Sequence, residues 1–276
     1  MADANRRPPL RLAIAGLGAI GLELARRVDA SEVRGMALAA ISARDPEKAR
    51  RKLAGLREPP EIVPLAELAG RADVVVECAP ASLFAEIARP VLAAGKVLVP
   101  LSVGAVLDHP ELVALAEETG GRIIVPTGAL IGLDAVKAVA RGTVHSVKLV
   151  TRKPPRGLAG APHLVERGVE VDGLVEPLLV FAGSARQAAQ GFPANLNVAA
   201  ALALAGIGPD RTEVEIWADP TVAHNTHTIE VRSDSSDFTM TIRNIPTPEN
   251  PRTGRITALS VIATLERLTA PLVVGT

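Results

Sequence analysis

The chain has 276 residues, enough for one large or two medium domains, and 48% of them are hydrophobic, which is ample for a core. Aromatic residues are only 2%, with no tyrosine, which removes the stacking platforms of single-stranded nucleic-acid binding; 30 basic and 30 acidic residues balance, so no global field points to nucleic acid or an anionic membrane. The single cysteine, Cys78, excludes an intrachain disulfide framework and a multi-cysteine metal site, and fits a reducing compartment.

Met1 to Pro9 has no apolar centre and does not read as a secretory signal. No uninterrupted apolar run is long enough to span a bilayer, so the expected location is the cytoplasm. The first informative stretch is Arg11 to Gly21, RLAIAGLGAIG. Leu12 to Ala15 reads as a buried strand, and Ala19 to Val28 has helix-like apolar spacing. Gly16, Gly18 and Gly21 stand at the strand-to-helix turn, where glycines allow a tight bend, close approach of a pyrophosphate and close helix–sheet packing. A lone motif of this kind is weak, since glycines also punctuate ordinary loops; the strand before and the helix after give it its meaning.

Met36 to Ser42 reads as a second strand, followed by Asp45, Pro46 and Glu47 as a helix start. Asp73 to Cys78, Lys96 to Leu101 and Arg122 to Pro126 are further strands, with Glu61 to Val63 a short edge strand and helices around Leu83 to Ala94 and Pro110 to Glu118. Such alternation predicts an α/β unit, a Rossmann-type parallel sheet over residues 1–126, with its ligand at the carboxyl ends of the strands. That rim holds Gly16, Ser42, Cys78, Ala79, Pro80, Ser102 and Thr127.

The rhythm changes near Val144. Val144 to Thr151, Thr212 to Ala218, Asn225 to Val231 and Asp237 to Asn244 read as strands, with helices around Ser184 to Gln190 and Asn195 to Ala205. Strands without intervening helices predict a second, open-faced α+β domain over residues 127–256. A helix at Thr257 to Leu268, within a tail of 257–276, is expected to pack back on the first domain. Lys153 to Pro162, rich in Pro, Gly and Arg, reads as a mobile loop.

Several residues here carry candidate chemistry. His224 and His227 precede or open a strand; if the segment is extended, residues three apart face opposite ways, which argues against a His–His chelate, and no metal site is assigned. An imidazole suits proton transfer near neutrality, and it is equally at home packed or on the surface. Asn195 and Asn197 open an apolar helix, as an N-cap or as amides for a cofactor carboxamide or a substrate carboxylate. Thr127-Gly128-Ala129 is either a turn or a close approach to a nicotinamide. Lys153 and Arg252 are cations beside prolines, either solvated or holding a carboxylate. Cys78 at a strand end reads as packed rather than nucleophilic.

Taken together, these segments resemble the L-aspartate dehydrogenases of NAD biosynthesis. The resemblance runs through the glycine motif, VECA (Val76 to Ala79), AAGKVLVPLSVGAVLD (Ala93 to Asp108) and VPTGALIGLDA (Val125 to Ala135). It continues through TRKPP (Thr151 to Pro155), FPANLNVAA (Phe192 to Ala200), ADPTVAHNTH (Ala218 to His227) and NIPTPENPRTGRITALS (Asn244 to Ser260). It implies NAD(P)-dependent oxidative deamination of L-aspartate through iminoaspartate to oxaloacetate and ammonia, or the reverse, in a small soluble homodimer without nucleic-acid or membrane partners.

Carried over by residue, the resemblance makes His227 the acid/base and Asn197 the cofactor-contacting asparagine, with Thr127, Gly128 and Ala129 in the cofactor loop. Gly16, Gly18, Ala19, Ile20, Gly21, Ser42, Arg44, Cys78, Ala79, Pro80 and Ser102 complete the expected cofactor set; Lys153, Asn225, Arg252 and Thr253 are the expected substrate ligands. Two positions depart from the family pattern. Ile131 in TGALIG adds bulk near the cofactor, and the second strand ends Ile41-Ser42-Ala43-Arg44, without the acid that holds the adenosine ribose in NAD-selective sites. The cofactor expectation is therefore NADP at least as readily as NAD. Two other readings remain: a reductase or dehydrogenase of another small carboxylate, dihydrodipicolinate- or homoserine-like, and a non-catalytic NADP-binding sensor.

Overall fold

Strands buried on both faces read as continuous apolar runs, and the first unit is built from them. The computed structural model describes residues 8–192, 196–247 and 254–275. These divide into two units, one through Pro126 with Ala258–Val273, the other Thr127–Thr257 with a short tail from Val274.

In the first unit, β1 (Leu10–Ala15), β2 (Met36–Ser42), β3 (Glu61–Ile62), β4 (Val74–Glu77), β5 (Val97–Pro100) and β6 (Arg122–Ile123) form a parallel sheet in the order β3-β2-β1-β4-β5-β6. Between them run α1 (Ala19–Asp29), α2 (Pro46–Leu53), α3 (Leu68–Arg71), α4 (Phe84–Ala93), α5 (Val103–Asp108) and α6 (Pro110–Thr119). Leu12, Ile14, Val74 and Val76 face a core with Leu24 and Val28 of α1 and Leu53 of α2. Ala13, Ala15 and Val75 face the opposite core, with Leu68 of α3, Ile87 and Leu92 of α4 and Leu112 of α6. The strand order reverses between β1 and β4, the point at which doubly wound sheets open a ligand crevice.

The second unit carries α7 (Leu133–Val139), β7 (Val144–Lys153), α8 (Pro162–Arg167), β8 (Leu178–Ser184), α9 (Ala185–Gly191), α10 (Leu196–Ala205), β9 (Thr212–Ala218), β10 (Thr226–Ser233) and β11 (Phe238–Arg243). Its sheet runs β11-β10-β7-β9-β8, with β7 and β9 parallel and the other pairs antiparallel. Strict alternation separates the two faces. Leu149, Thr151 and Lys153 of β7, Val214 and Ile216 of β9, and His227, Ile229 and Val231 of β10 are buried together. The other face carries an ion pair, Lys148–Glu215 at 2.7 Å, and Arg152 stacked 4.7 Å from the Trp217 ring centre. Helix α10 packs on α7 and α9, α9 packs on β8 and β9, and α10 packs on β9. The last helix, α11 (Arg255–Arg267), supplies Val261, Ile262 and Leu265 to the core of the first unit that holds Leu12 and Ile14.

Some elements differ from the sequence reading. Lys153 is the buried last residue of β7, not part of a solvated loop, because it alternates in phase with Leu149 and Thr151. Strand β8 and helices α5, α7 and α8 were not legible: each is six or seven residues long, and β8 buries only Val180 and Phe181.

Candidate active site

The three motif glycines do three different things. Gly16 sits at φ +105°, a left-handed conformation, and a Cβ there would stand 2.5 Å from the Cys78 carbonyl oxygen. Gly18 caps α1; a Cβ on it would meet nothing within 4 Å, no side chain caps the helix, and its first turn holds no acid. A Cβ on Gly21 would collide with the Gly16 carbonyl, so α1 lies close against the end of β1. Ala19 and Ile20 are the first residues of that helix. An uncapped N-terminus entered by an open glycine turn fits the pyrophosphate of a dinucleotide.

At the end of β2, Ser42 is buried and acts through its carbonyl, which accepts from Gly16 N–H at 2.8 Å. Asp45 accepts from Lys48 N–H at 2.9 Å, so its carboxylate is committed to capping α2. Arg44 is exposed, and the Lys52 ammonium donates to the Leu17 carbonyl at 3.0 Å, which sets a second cation on the glycine turn.

Glu77, the last residue of β4, was singled out in the sequence only as a letter of VECA. It is fully buried and accepts from Ala79 N–H (2.9 Å), Ser102 N–H (2.8 Å) and Ser102 Oγ (3.1 Å). One carboxyl thereby ties the turn after β4, with Cys78, Ala79 and exposed Pro80, to the start of α5. Desolvation pushes its pKa up against those hydrogen bonds. Desolvation and the Glu77 charge also push the Cys78 thiol up, which suits a packed residue and not a nucleophile.

In the second unit, β10 and β7 pair antiparallel with His227 opposite Thr151, and Thr151 Oγ1 lies 3.0 Å from His227 Nδ1. His227 is 3% exposed and Lys153, two residues along from Thr151, is 8% exposed. Burial first, and the Lys153 charge second, lower the imidazole pKa to about 3; burial lowers the Lys153 ammonium to about 8. Asn225, half-buried, directly precedes Thr226, which pairs with Arg152 next to Lys153. Beyond β11, buried Asn244 donates from Nδ2 to the Ala129 carbonyl at 3.1 Å, which brings the Thr127-Gly128-Ala129 loop to this end of the sheet. His227, Lys153, Asn225 and Ala129 thus gather at one end of one sheet. Thr151 and Asn244 belong with them and were missed: their partners lie 76 and 115 residues away in sequence.

His224 is exposed in a bend ahead of β10, so its separation from His227 comes from the chain's turn and not from strand alternation. Asn197 is exposed in the first turn of α10, and Ile131 is half-buried. Arg252, Thr253 and Asn195 lie outside the described residues. Among the described residues no group of three or more His, Cys, Asp or Glu is placed to hold a metal ion, and no helix is long and apolar enough to cross a membrane.

Comparison with known proteins bears on both units. Residues 16–126 match the family model for the NAD-binding domain of homoserine dehydrogenase, and residues 134–268 match the model for the C-terminal part of aspartate dehydrogenase. The chain is 58% identical to L-aspartate dehydrogenase 3 of Bordetella bronchiseptica over 99% of its length and all of the relative's. It is 57% identical to L-aspartate dehydrogenase of Bradyrhizobium diazoefficiens, covering 100% of this chain and 98% of that one. The crystal structure of aspartate dehydrogenase from Thermotoga maritima is similar with a TM-score of 0.73 at 25% identity, covering 96% of this chain and 99% of that one.

Proposed function

The chain belongs to the L-aspartate dehydrogenase family, and on that premise we propose that it catalyses the NAD(P)-dependent oxidative deamination of L-aspartate to oxaloacetate and ammonia, or the reverse. The observation that carries this reading is the buried His227–Thr151 pair beside Lys153 in the second unit, in a chain whose first unit has a dinucleotide-type glycine turn. The nicotinamide, when bound, takes up the hydrogen and electron pair of the amine-bearing carbon. The remaining work falls to protein groups. Thr151 engages Nδ1, so proton exchange runs through Nε2 of His227. The neutral imidazole takes a proton from the water that adds to the imine carbon, then returns it to the departing nitrogen. Lys153 holds a substrate carboxylate by charge, and burial strengthens that attraction. Asn225 and, from the segment beyond the described residues, Arg252 and Thr253 complete the substrate set; Asn197, Gly128 and Ala129 border the nicotinamide. The physiological form in this reading is a cytoplasmic homodimer serving NAD biosynthesis, as the family resemblance implies.

The test is substrate dependence. Purified protein should oxidise NAD(P)H only when oxaloacetate and ammonia are both supplied. Equal rates without ammonia would mean a hydroxy-acid dehydrogenase, and activity confined to dihydrodipicolinate or a homoserine precursor would move the substrate elsewhere.

Cofactor choice follows from the end of β2. With Ser42 buried and Asp45 engaged by Lys48 N–H, no free acid faces a ribose 2′-OH there, and Arg44 is the exposed charge that follows. A guanidinium can meet a 2′-phosphate with two parallel hydrogen bonds. NADP(H) should therefore be used at least as well as NAD(H), and Arg44→Ala should shift the kcat/KM ratio towards NAD(H) by about tenfold, the scale of one charged hydrogen bond. An unchanged ratio in the variant would put Arg44 in solvent.

A further inference from the structure

Glu77 is a buried acid that the proposed chemistry does not use. Its Oε1 accepts from Ala79 N–H and Ser102 Oγ, its Oε2 accepts from Ser102 N–H, and no cation stands among these partners. Desolvation opposes its charge, and a charge buried without a counter-ion is costly. Apolar strands alone would hold the sheet, and a local rule broken at such a cost is where functional constraint is expected.

Its position says what it serves. β4 pairs with β1 on one side and β5 on the other, so Glu77 ends the strand next to the reversal of strand order. The Glu77 carbonyl accepts from Leu101 N–H at 3.0 Å, and Cys78 N–H donates to the Ala15 carbonyl at 2.8 Å. The Cys78 carbonyl lies so close to Gly16 that a Cβ there would come within 2.5 Å of it. The turn that Glu77 fixes is therefore the wall against which the glycine turn packs. A doubly wound sheet of this kind has two mononucleotide halves, and the residues after β2 read the adenosine ribose. The β4–β5 side, to which Glu77 and Ser102 belong, is left for the nicotinamide half.

We propose that Glu77 is a positioning residue for the nicotinamide half of the cofactor. By bonding Ala79 N–H and Ser102 N–H together, it holds the ends of β4 and β5 in the arrangement that receives the nicotinamide riboside, and it leaves adenosine recognition alone. This rests on the dinucleotide part of the dehydrogenase reading.

Glu77→Gln separates the bonding from the packing. The amide has nearly the volume of the acid but only one acceptor oxygen. Its NH2 must face either Ala79 N–H or Ser102 N–H, donor against donor. At least one of the two turns is released.

The experiment titrates full-length protein by calorimetry with NADPH and NADH, and with ADP and adenosine 2′,5′-bisphosphate, which lack the nicotinamide riboside. Glu77→Gln should weaken the reduced dinucleotides by about tenfold, the scale of one charged hydrogen bond, and change the two fragments by less than twofold. Ser102→Ala should show the same selectivity at about fivefold, because Ser102 N–H stays bonded. It carries the test alone if Glu77→Gln does not fold. Equal weakening of dinucleotides and fragments would make Glu77 a scaffold of the whole crevice. Weakening of the fragments alone would move it to the adenosine side, and no change in either variant would detach it from the cofactor; each overturns the proposal. Failure of the broader reading looks different. A wild type that binds no dinucleotide ends both, whereas one that binds it and turns over another substrate loses only the aspartate reading, and the same titrations still decide the role of Glu77.

Discussion

Replacing His227 with alanine is expected to lower kcat by about a hundredfold to ten-thousandfold, the usual contribution of a positioned acid–base group. The affinity for NAD(P)H should stay nearly unchanged. The two effects separate because His227 belongs to the sheet of the second unit, whereas the glycine turn that fits the pyrophosphate belongs to the first. His224→Ala should do little, because that side chain is exposed ahead of the strand. Thr151→Val should cost about tenfold, since it leaves Nδ1 of a buried ring unpartnered without removing the ring. The pH profile gives an independent reading. With its pKa lowered to about 3 by burial and by Lys153, the imidazole of the free enzyme stays neutral across the range where an ordinary histidine titrates. The kcat/KM for aspartate, which reports free-enzyme groups, should therefore show no acid limb near 6.5 assignable to His227. A limb there that vanishes in the alanine variant would mean a solvated ring, and a full-rate His227→Ala enzyme would end the assignment.

The parts of this molecule that could be read ahead of the structure are those whose signal is local. β1 and β4 announce themselves because a strand covered on both faces must be apolar throughout, and the glycines between β1 and α1 satisfy constraints within a few residues of one another. Asp45 as a cap of α2 was legible for the same reason, since its partner is three residues away. The illegible parts depend on partners far along the chain. Thr151 is an unremarkable strand residue until β10 pairs with β7 and sets His227 opposite. Glu77 reads as a charge at a strand end, and only the start of α5, 25 residues on, makes it a buried clasp. Lys153 looks solvated because the prolines after it suggest a loop; the alternation of β7, carried two residues further than expected, turns it inward. In each case the missing information is the register between strands, which no window of neighbouring residues contains.

Affinity for a dicarboxylate should be flat from about pH 6 to 8 and fall about tenfold per unit above it, because Lys153 loses its charge there. The sign follows from burial: desolvation disfavours the ammonium and brings its pKa down to about 8, so the cation that attracts carboxylates is present below that value and lost above it. Bound dicarboxylate favours the charged form in turn, so the pKa in the complex should lie above that of the free protein. Succinate is the suitable probe, since it has no amine to titrate alongside the lysine. Lys153→Met keeps the length and apolar contacts of the side chain and removes the charge. Its succinate affinity should drop by about 30-fold to several thousandfold, as when one partner of a buried charge pair is removed. What binding remains should no longer depend on pH near 8. The same substitution should raise the His227 pKa, because the Lys153 charge is one of the two causes that hold it down. Titration of the His227 ring resonances in wild type and Lys153→Met, followed by NMR, would measure that coupling directly. Pre-organised charge next to a neutral base would then be established by two readouts, one on the ligand and one on the imidazole. Succinate affinity that stays flat to pH 10 in wild type, or a His227 pKa unmoved by Lys153→Met, would show that the two groups act apart.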